Sequence, residues 1–243
     1  MTINGVDFKS TVGGQEVRLK LKEETLDIER KCDAEYHLAY TELMQKGIMP
    51  RATLERYMQE KQIWTQDDEK KLRDLQSQIV KLQMQLEDSK THDAGLTIAK
   101  AMGDLRGQCL RLVEVKANVL SNSCESLADQ IRRDAYLAYA TVYADTGKAV
   151  FKDYADFLRR ASDNEQVVTD ARQVMLQLAS DSFNSSLTGL PEVNYVKSVE
   201  KQIVEDANKV VEKAAKDKTT GAAVAEPVVE AAKKVIKKKT KKE

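Results

Sequence analysis

Helix and chain breakers are scarce. Three prolines, Pro50, Pro191 and Pro227, and ten glycines serve 243 residues, so long uninterrupted elements are expected. Aromatic residues make up 5% of the chain, against 32% charged, which limits it to a modest core. Cys32, Cys109 and Cys124 are odd in number, far apart and not in C-x-x-C spacing. That excludes a disulfide framework and points to a reducing compartment. The two histidines, His37 and His92, stand neither four apart nor beside cysteine at ligand spacing, so no metal site is expected. The start, MTINGVDFKS, has no apolar signal core. The uncharged run Ala135–Ala144 is about half a membrane span.

Catalytic signatures are missing as well. No G-x-x-x-x-G-K-[ST], G-x-G-x-x-G or G-x-S-x-G occurs. Gly147-Lys148 is expected to stop a helix. Gly103 and Gly107 form a G-x-x-x-G whose polar interior, Asp104 and Arg106, rules out a membrane meaning and leaves close helix approach. Acidic pairs such as Glu23-Glu24 and Asp67-Asp68 fit solvated faces or caps, because general acid–base work needs a pocket that shifts a pKa. Nothing points to an enzyme or to a cofactor.

What is present is helical periodicity. Leu72, Leu75, Ile79, Leu82 and Leu86 follow spacings of three, four, three and four. These five share one seam of a helix, and the positions between them are mostly polar. Thr65 suits the N-cap, and Asp67, Asp68 and Glu69 complement the positive end of the helix dipole. A narrow apolar seam on a polar rod must lie against another helix. The companion is either 96–132 of the same chain, as an antiparallel hairpin across the loop 89–95, or a helix of another chain. The stretch 121–126, SNSCES, is expected to kink or break the second arm.

The fold class is mostly α: a helical hairpin or coiled-coil arm, a compact helical region, a short N-terminal β-hairpin and a disordered basic tail. Residues 1–24 form the hairpin, since Val17, Leu19 and Leu21 alternate with Arg18, Lys20 and Lys22 behind Gly13-Gly14. A helical segment spans 25–64, with Leu26, Cys32 or Asp33, Tyr36, Tyr40, Leu43 and Met44 on the face of its first helix. The arm is 65–132. The compact region is 133–183, where Tyr136, Tyr139 and Tyr143 line one helix closed by Asp145-Thr146-Gly147. There Asp163 or Asn164 caps the helix carrying Val167, Ala171, Val174 and Leu178. A linker at 184–191 precedes an amphipathic helix over 192–216.

Residues 217–243 are low in complexity. Lys233, Lys234, Lys237, Lys238, Lys239, Lys241 and Lys242, with Glu243, give the end a charge of +6 and leave −6 on the rest. Disorder is expected there, with transient helix over 228–239. These lysines are the candidate polyanion-binding residues, for sequence-independent contact with nucleic acid.

The order of parts, INGVDF…GGQEVRLKLKEET, then LDIERKCDAEYHLAYTELMQKGIMPRATLERYMQEKQIW, a charged coiled coil and YATVYADTGKAVFKDYADFL, resembles small structural or assembly proteins of tailed bacteriophages. Tail assembly chaperones also open with a hairpin followed by helices. The resemblance covers the layout of about 1–160 and fixes no functional residue. It implies an all-α, non-enzymatic role in virion assembly, in the host cytoplasm or the virion, through self or partner helix contacts. The alternative is a nucleic-acid-associated protein that uses its basic tail.

Overall fold

The computed structural model describes the backbone of residues 5–217 and the side chains of 5–210. Among the described residues it is mostly α, with eight helices and one three-stranded antiparallel sheet. The chain divides into two compact units. Among the described residues, one joins 5–79 with 105–187, the other 80–104 with 188–217.

In the first unit, β1 (Val6–Val12) and β2 (Gln15–Leu21) form the expected hairpin, with Val12 opposite Gln15 and Val6 opposite Leu21. Gly13 and Gly14 take φ of +59° and +82°, the left-handed values a tight hairpin turn requires. Thr25 Oγ1 accepts from the Ile28 N–H and opens α1 (Leu26–Gln45). Gly47, at φ +84°, and Pro50 end it. The buried face of α1 is Ile28, Cys32 and Ala39, whereas Leu26 and Met44 face water. Of the expected face, Cys32 is buried and Tyr36, Tyr40 and Leu43 are half-buried, so it misses only at its two ends. After α2 (Arg51–Glu60), Thr65 starts α3 (Gln66–Glu87) through a reciprocal cap. Its hydroxyl accepts from the Asp68 N–H, and Asp68 Oδ2 accepts from the Thr65 N–H at 2.9 Å.

SNSCES breaks the second arm. It separates α4 (His92–Leu120) from α5 (Cys124–Ala140). Ser123, fully buried, caps α5 by accepting from the Ser126 N–H. The Cys124 N–H donates to Met49 O, and its thiol to Ile48 O. Those bonds tie the break to the turn between α1 and α2.

From Ala135 the helix expected to run to Gly147 stops at Ala140, and Thr141–Tyr143 become β3 beside β2. The β-branched and aromatic run TVY suits a strand, and the open side of β2 offers it a ladder. Tyr143 is thus not on the helical stripe of Tyr136 and Tyr139. Gly147, at φ +66°, donates to Tyr143 O across a tight turn, and Val142 bridges Ala149. The expected helix stop is a turn of extended chain.

Asp153 then caps α6 (Tyr154–Ser162). Asp163 and Asn164 do not cap α7 (Gln166–Thr188). They finish α6, with Asn164 at φ +54°. The expected linker 184–191 shrinks to Gly189 and Leu190, because α7 continues to Thr188 and Pro191 is the first residue of α8 (Pro191–Asp217).

The core of this unit joins Leu19 and Leu21, Ile28 and Cys32, Ala135 to Ala138, Phe151, Phe157, Val167, Val168 and Ala171. The compact region 133–183 is therefore one wall of a core that the hairpin and α1 complete. Polar ties close its rim. Tyr136 Oη donates to Lys22 O at 2.6 Å, Tyr139 Oη to Glu35, and Arg132 bridges Asp33 and Glu24. Phe157 is fully buried, edge-on to Phe151 at 5.0 Å and under the Arg172 guanidinium. Phe157→Ala is expected to cost about 3–5 kcal/mol, measured as a lower denaturation midpoint in urea with unchanged slope.

Candidate interaction surfaces

The apolar seam is spent inside the chain. In the first unit Leu75 and Ile79 are buried and Leu72 half-buried. Leu72 packs in one cluster with Leu54, Met58 and Trp64, and with Leu112, Val119 and Leu120 of α4. The companion of α3 is therefore α4, antiparallel, across a short turn at 88–91. Lys116 lies on the inward side of α4 and reaches Glu69 of α3, whereas the neighbouring Val115 is exposed. In the second unit Leu86 is buried and Leu82 half-buried.

At the base of the arm a charged cluster locks the junction. Trp64 is buried, and its indole N–H donates to Glu69 Oε1 at 2.7 Å. The Lys116 ammonium donates to the same oxygen and lies 5.5 Å from the Trp64 ring centre. One carboxylate oxygen thus joins the start of α3, the residue before its cap and the last third of α4. These two donors, Lys116 first, hold the Glu69 carboxyl below the usual range. A lowered folded value means the stabilisation is whole above the unfolded pKa, about 4.3, and is lost as pH falls through the folded one. Glu69→Gln is expected to cost about 1 kcal/mol at neutral pH, moderated by the site's partial exposure, and to flatten stability below pH ~4.3. Thermal melts from neutral to acid pH read both effects.

In the second unit Leu86, Ala99, Met102 and Val199 supply buried apolar side chains. A methyl group on Gly95 would overlap the Tyr195 hydroxyl and ring, so the ring rests directly on the first turn of α4. The close approach anticipated at Gly103 and Gly107 occurs here instead. A Cβ at Gly103 would meet nothing within 4 Å, and one at Gly107 only the Arg111 side chain.

Apolar residues that the seam does not use face water. On α7, Leu176 is 70% exposed and Phe183 56%, seven residues apart, with Leu187 one turn further. On α8, Ile203 is 60% exposed, with Val196 and Val210 seven residues to either side and Val204 beside it. Leu110 and Val113 on α4, and Val80 and Met84 on α3, are also exposed. Leu110, Val113, Ala117 and Leu120 follow helical spacing along α4, with Leu120 turned into the cluster that holds Leu112. Their end opens into a cleft of about 430 Å³ bordered by Arg51, Asp129 and Arg133. Sequence reasoning read the α7 face as part of a packed region and 192–216 as an amphipathic helix. Periodicity says a face is apolar; it does not say whether the fold covers it.

The other candidates fall as follows. Lys233, Lys234, Lys237, Lys238, Lys239, Lys241 and Lys242, and the helix expected over 228–239, lie outside the described residues. His37 and His92 are exposed, His37 edge-on to Tyr36. Burial pushes the Cys32 thiol up to about 11 and raises that of Cys124, which leaves both as unreactive fillers at neutral pH. Among the described residues no three of His, Cys, Asp and Glu are grouped to hold a metal ion, and no helix is long and apolar enough to cross a membrane. No protein-family model, no curated protein and no solved structure matches the chain.

Proposed function

We propose that this chain is a non-enzymatic assembly or structural protein that works by helix-on-helix contact with a second protein or a second copy. From the layout of its parts, it is proposed to serve bacteriophage tail assembly, in the host cytoplasm or the virion. The observation that carries this reading is the exposure of Leu176 and Phe183 on α7, and of Ile203 and Val210 on α8. Single exposed apolar residues are ordinary on a protein surface; heptad-spaced ones along two long helices mark a contact surface. The seam of α3 does not serve this role, since Leu75, Ile79 and Leu86 are already buried and Leu72 packs with Leu112, Val119 and Leu120 of α4.

Leu176→Glu with Phe183→Glu is expected to weaken association about tenfold or more, while the melting temperature stays close to that of the parent, because exposed substitutions shift stability little. Sedimentation velocity over a concentration series, alone and with the captured partner, measures the first; calorimetry measures the second. A parent that never associates, or a variant that associates as well as the parent, overturns the reading.

The seven lysines of 233–242 favour a second reading, salt-dependent nucleic-acid binding by the tail. Sedimentation with DNA at two salt concentrations separates the two. Loss of DNA co-sedimentation at high salt, and on deleting 233–243, supports the tail. Self-association that ignores DNA supports the helices.

A further inference from the structure

The sheet has the order β1-β2-β3, so β1 is an edge and no described strand flanks it on the outer side. The direction of its free groups follows from β2. Arg18 O accepts from the Ala144 N–H, and the Lys22 N–H donates to Ala140 O. The backbone groups of Arg18, Lys20 and Lys22 therefore point to β3, and those of Val17, Leu19 and Leu21 to β1. Their partners Ser10, Phe8 and Val6 point back. That leaves the N–H and C=O groups of Asp7, Lys9 and Thr11 aimed outward, in the alternation of an antiparallel ladder. Beside this edge a cleft of about 270 Å³ lies between Phe8 and Lys9 on β1 and Asp170, Gln173, Val174 and Gln177 on α7.

The geometry points to a second copy of this chain as that strand, paired β1 to β1 across a two-fold axis through Phe8. Outward groups must meet outward groups, so self-pairing is confined to registers centred on residues 7, 8, 9 or 10. Centring on Asp7 or Lys9 sets like charges opposite each other. Centring on Ser10 shortens the ladder. Centring on Phe8 sets Asp7 opposite Lys9 of the other copy, twice, as hydrogen-bonded pairs. It brings the two Phe8 rings together as the closer, non-hydrogen-bonded pair on the face that carries the cleft. Lys9 has a further reason to accept this neighbour. Within its own sheet it stands directly opposite Arg18, another cation, and its one carboxylate partner, Glu16, is an exposed diagonal contact. In the paired sheet the row alternates better: Arg18, Lys9, then Asp7 and Lys20 of the second copy.

This association is independent of the helix faces on α7 and α8, and its test tells them apart. Full-length Asp7→Lys and Lys9→Asp are each expected to weaken dimerisation about tenfold, because two attractive cross-strand pairs become repulsive. The double variant Asp7→Lys/Lys9→Asp is expected to restore it, since every pair is reversed in the same register. Lys9→Pro, whose lost N–H faces away from β2, is expected to leave the monomer with unchanged circular dichroism. Sedimentation equilibrium at rising protein concentration is the readout. A parent that stays monomeric at all concentrations overturns the inference. So does a dimer indifferent to all four variants; if that dimer is lost with Leu176→Glu/Phe183→Glu, the helix reading stands and this one falls. Failure of the double variant to recover association, with its fold intact, overturns the Phe8-centred register.

Discussion

The rest of the first unit depends on how closely α1 and the sheet approach the small side of α5. Ala128, Ala135 and Ala138 on α5 are fully buried, and small side chains there let neighbouring backbones come near without cavities. Around them Tyr136 and Tyr139 reach outward with their hydroxyls to Lys22 O and Glu35. The apolar bodies of these residues thus fill the core while their polar ends are satisfied at its rim. Burial raises both tyrosines to about 12, so they stay neutral hydrogen-bond donors across the physiological range. A lone hairpin is marginal in water. Here Leu19 and Leu21 become part of the same core as Phe157 and Val167, which is what makes the hairpin a stable element.

The helical arm obeys a different constraint. Its seam is narrow, its flanks are charged, and the chain reverses within a few residues, so the nearest helix is the next one in sequence. Covering the seam internally removes it from the surfaces available to a partner. What remains includes the apolar side chains exposed on α7 and, separately, on α8, together with the open edge of β1. The proposed assembly role rests on those surfaces. They differ in chemistry: the helix faces offer non-directional burial, while the strand edge offers directional hydrogen bonds and a charge pattern that selects one register.

Charge placement supports this division. The Glu69 cluster and the Arg132 bridges sit where elements meet. Pairs such as Lys31–Asp27, Lys46–Glu42 and Lys209–Asp206 lie along single exposed helices and contribute little to stability. The former decide how elements dock, and the latter keep their outer faces wet.

Helix positions were largely legible in the sequence, because capping and periodicity are local. Thr65 marked a helix start that the structure respects, and Leu75, Ile79 and Leu86 marked a face that it buries. The misses have one cause. TVY at 141–143 could continue a helix or pair as a strand, and only the vacant side of β2 decided it. Asn164 looked like a cap and became the end of the preceding helix. The polar stretch 184–188 looked like a linker and stayed helical. By itself the sequence determined the class, the hairpin, the seam and the basic end, since each is set by neighbours a turn or a strand away. Tertiary structure alone decided which apolar faces are covered, where Gly95 meets Tyr195, and which backbone groups of β1 are left pointing at water, because those depend on residues a hundred positions apart meeting in space.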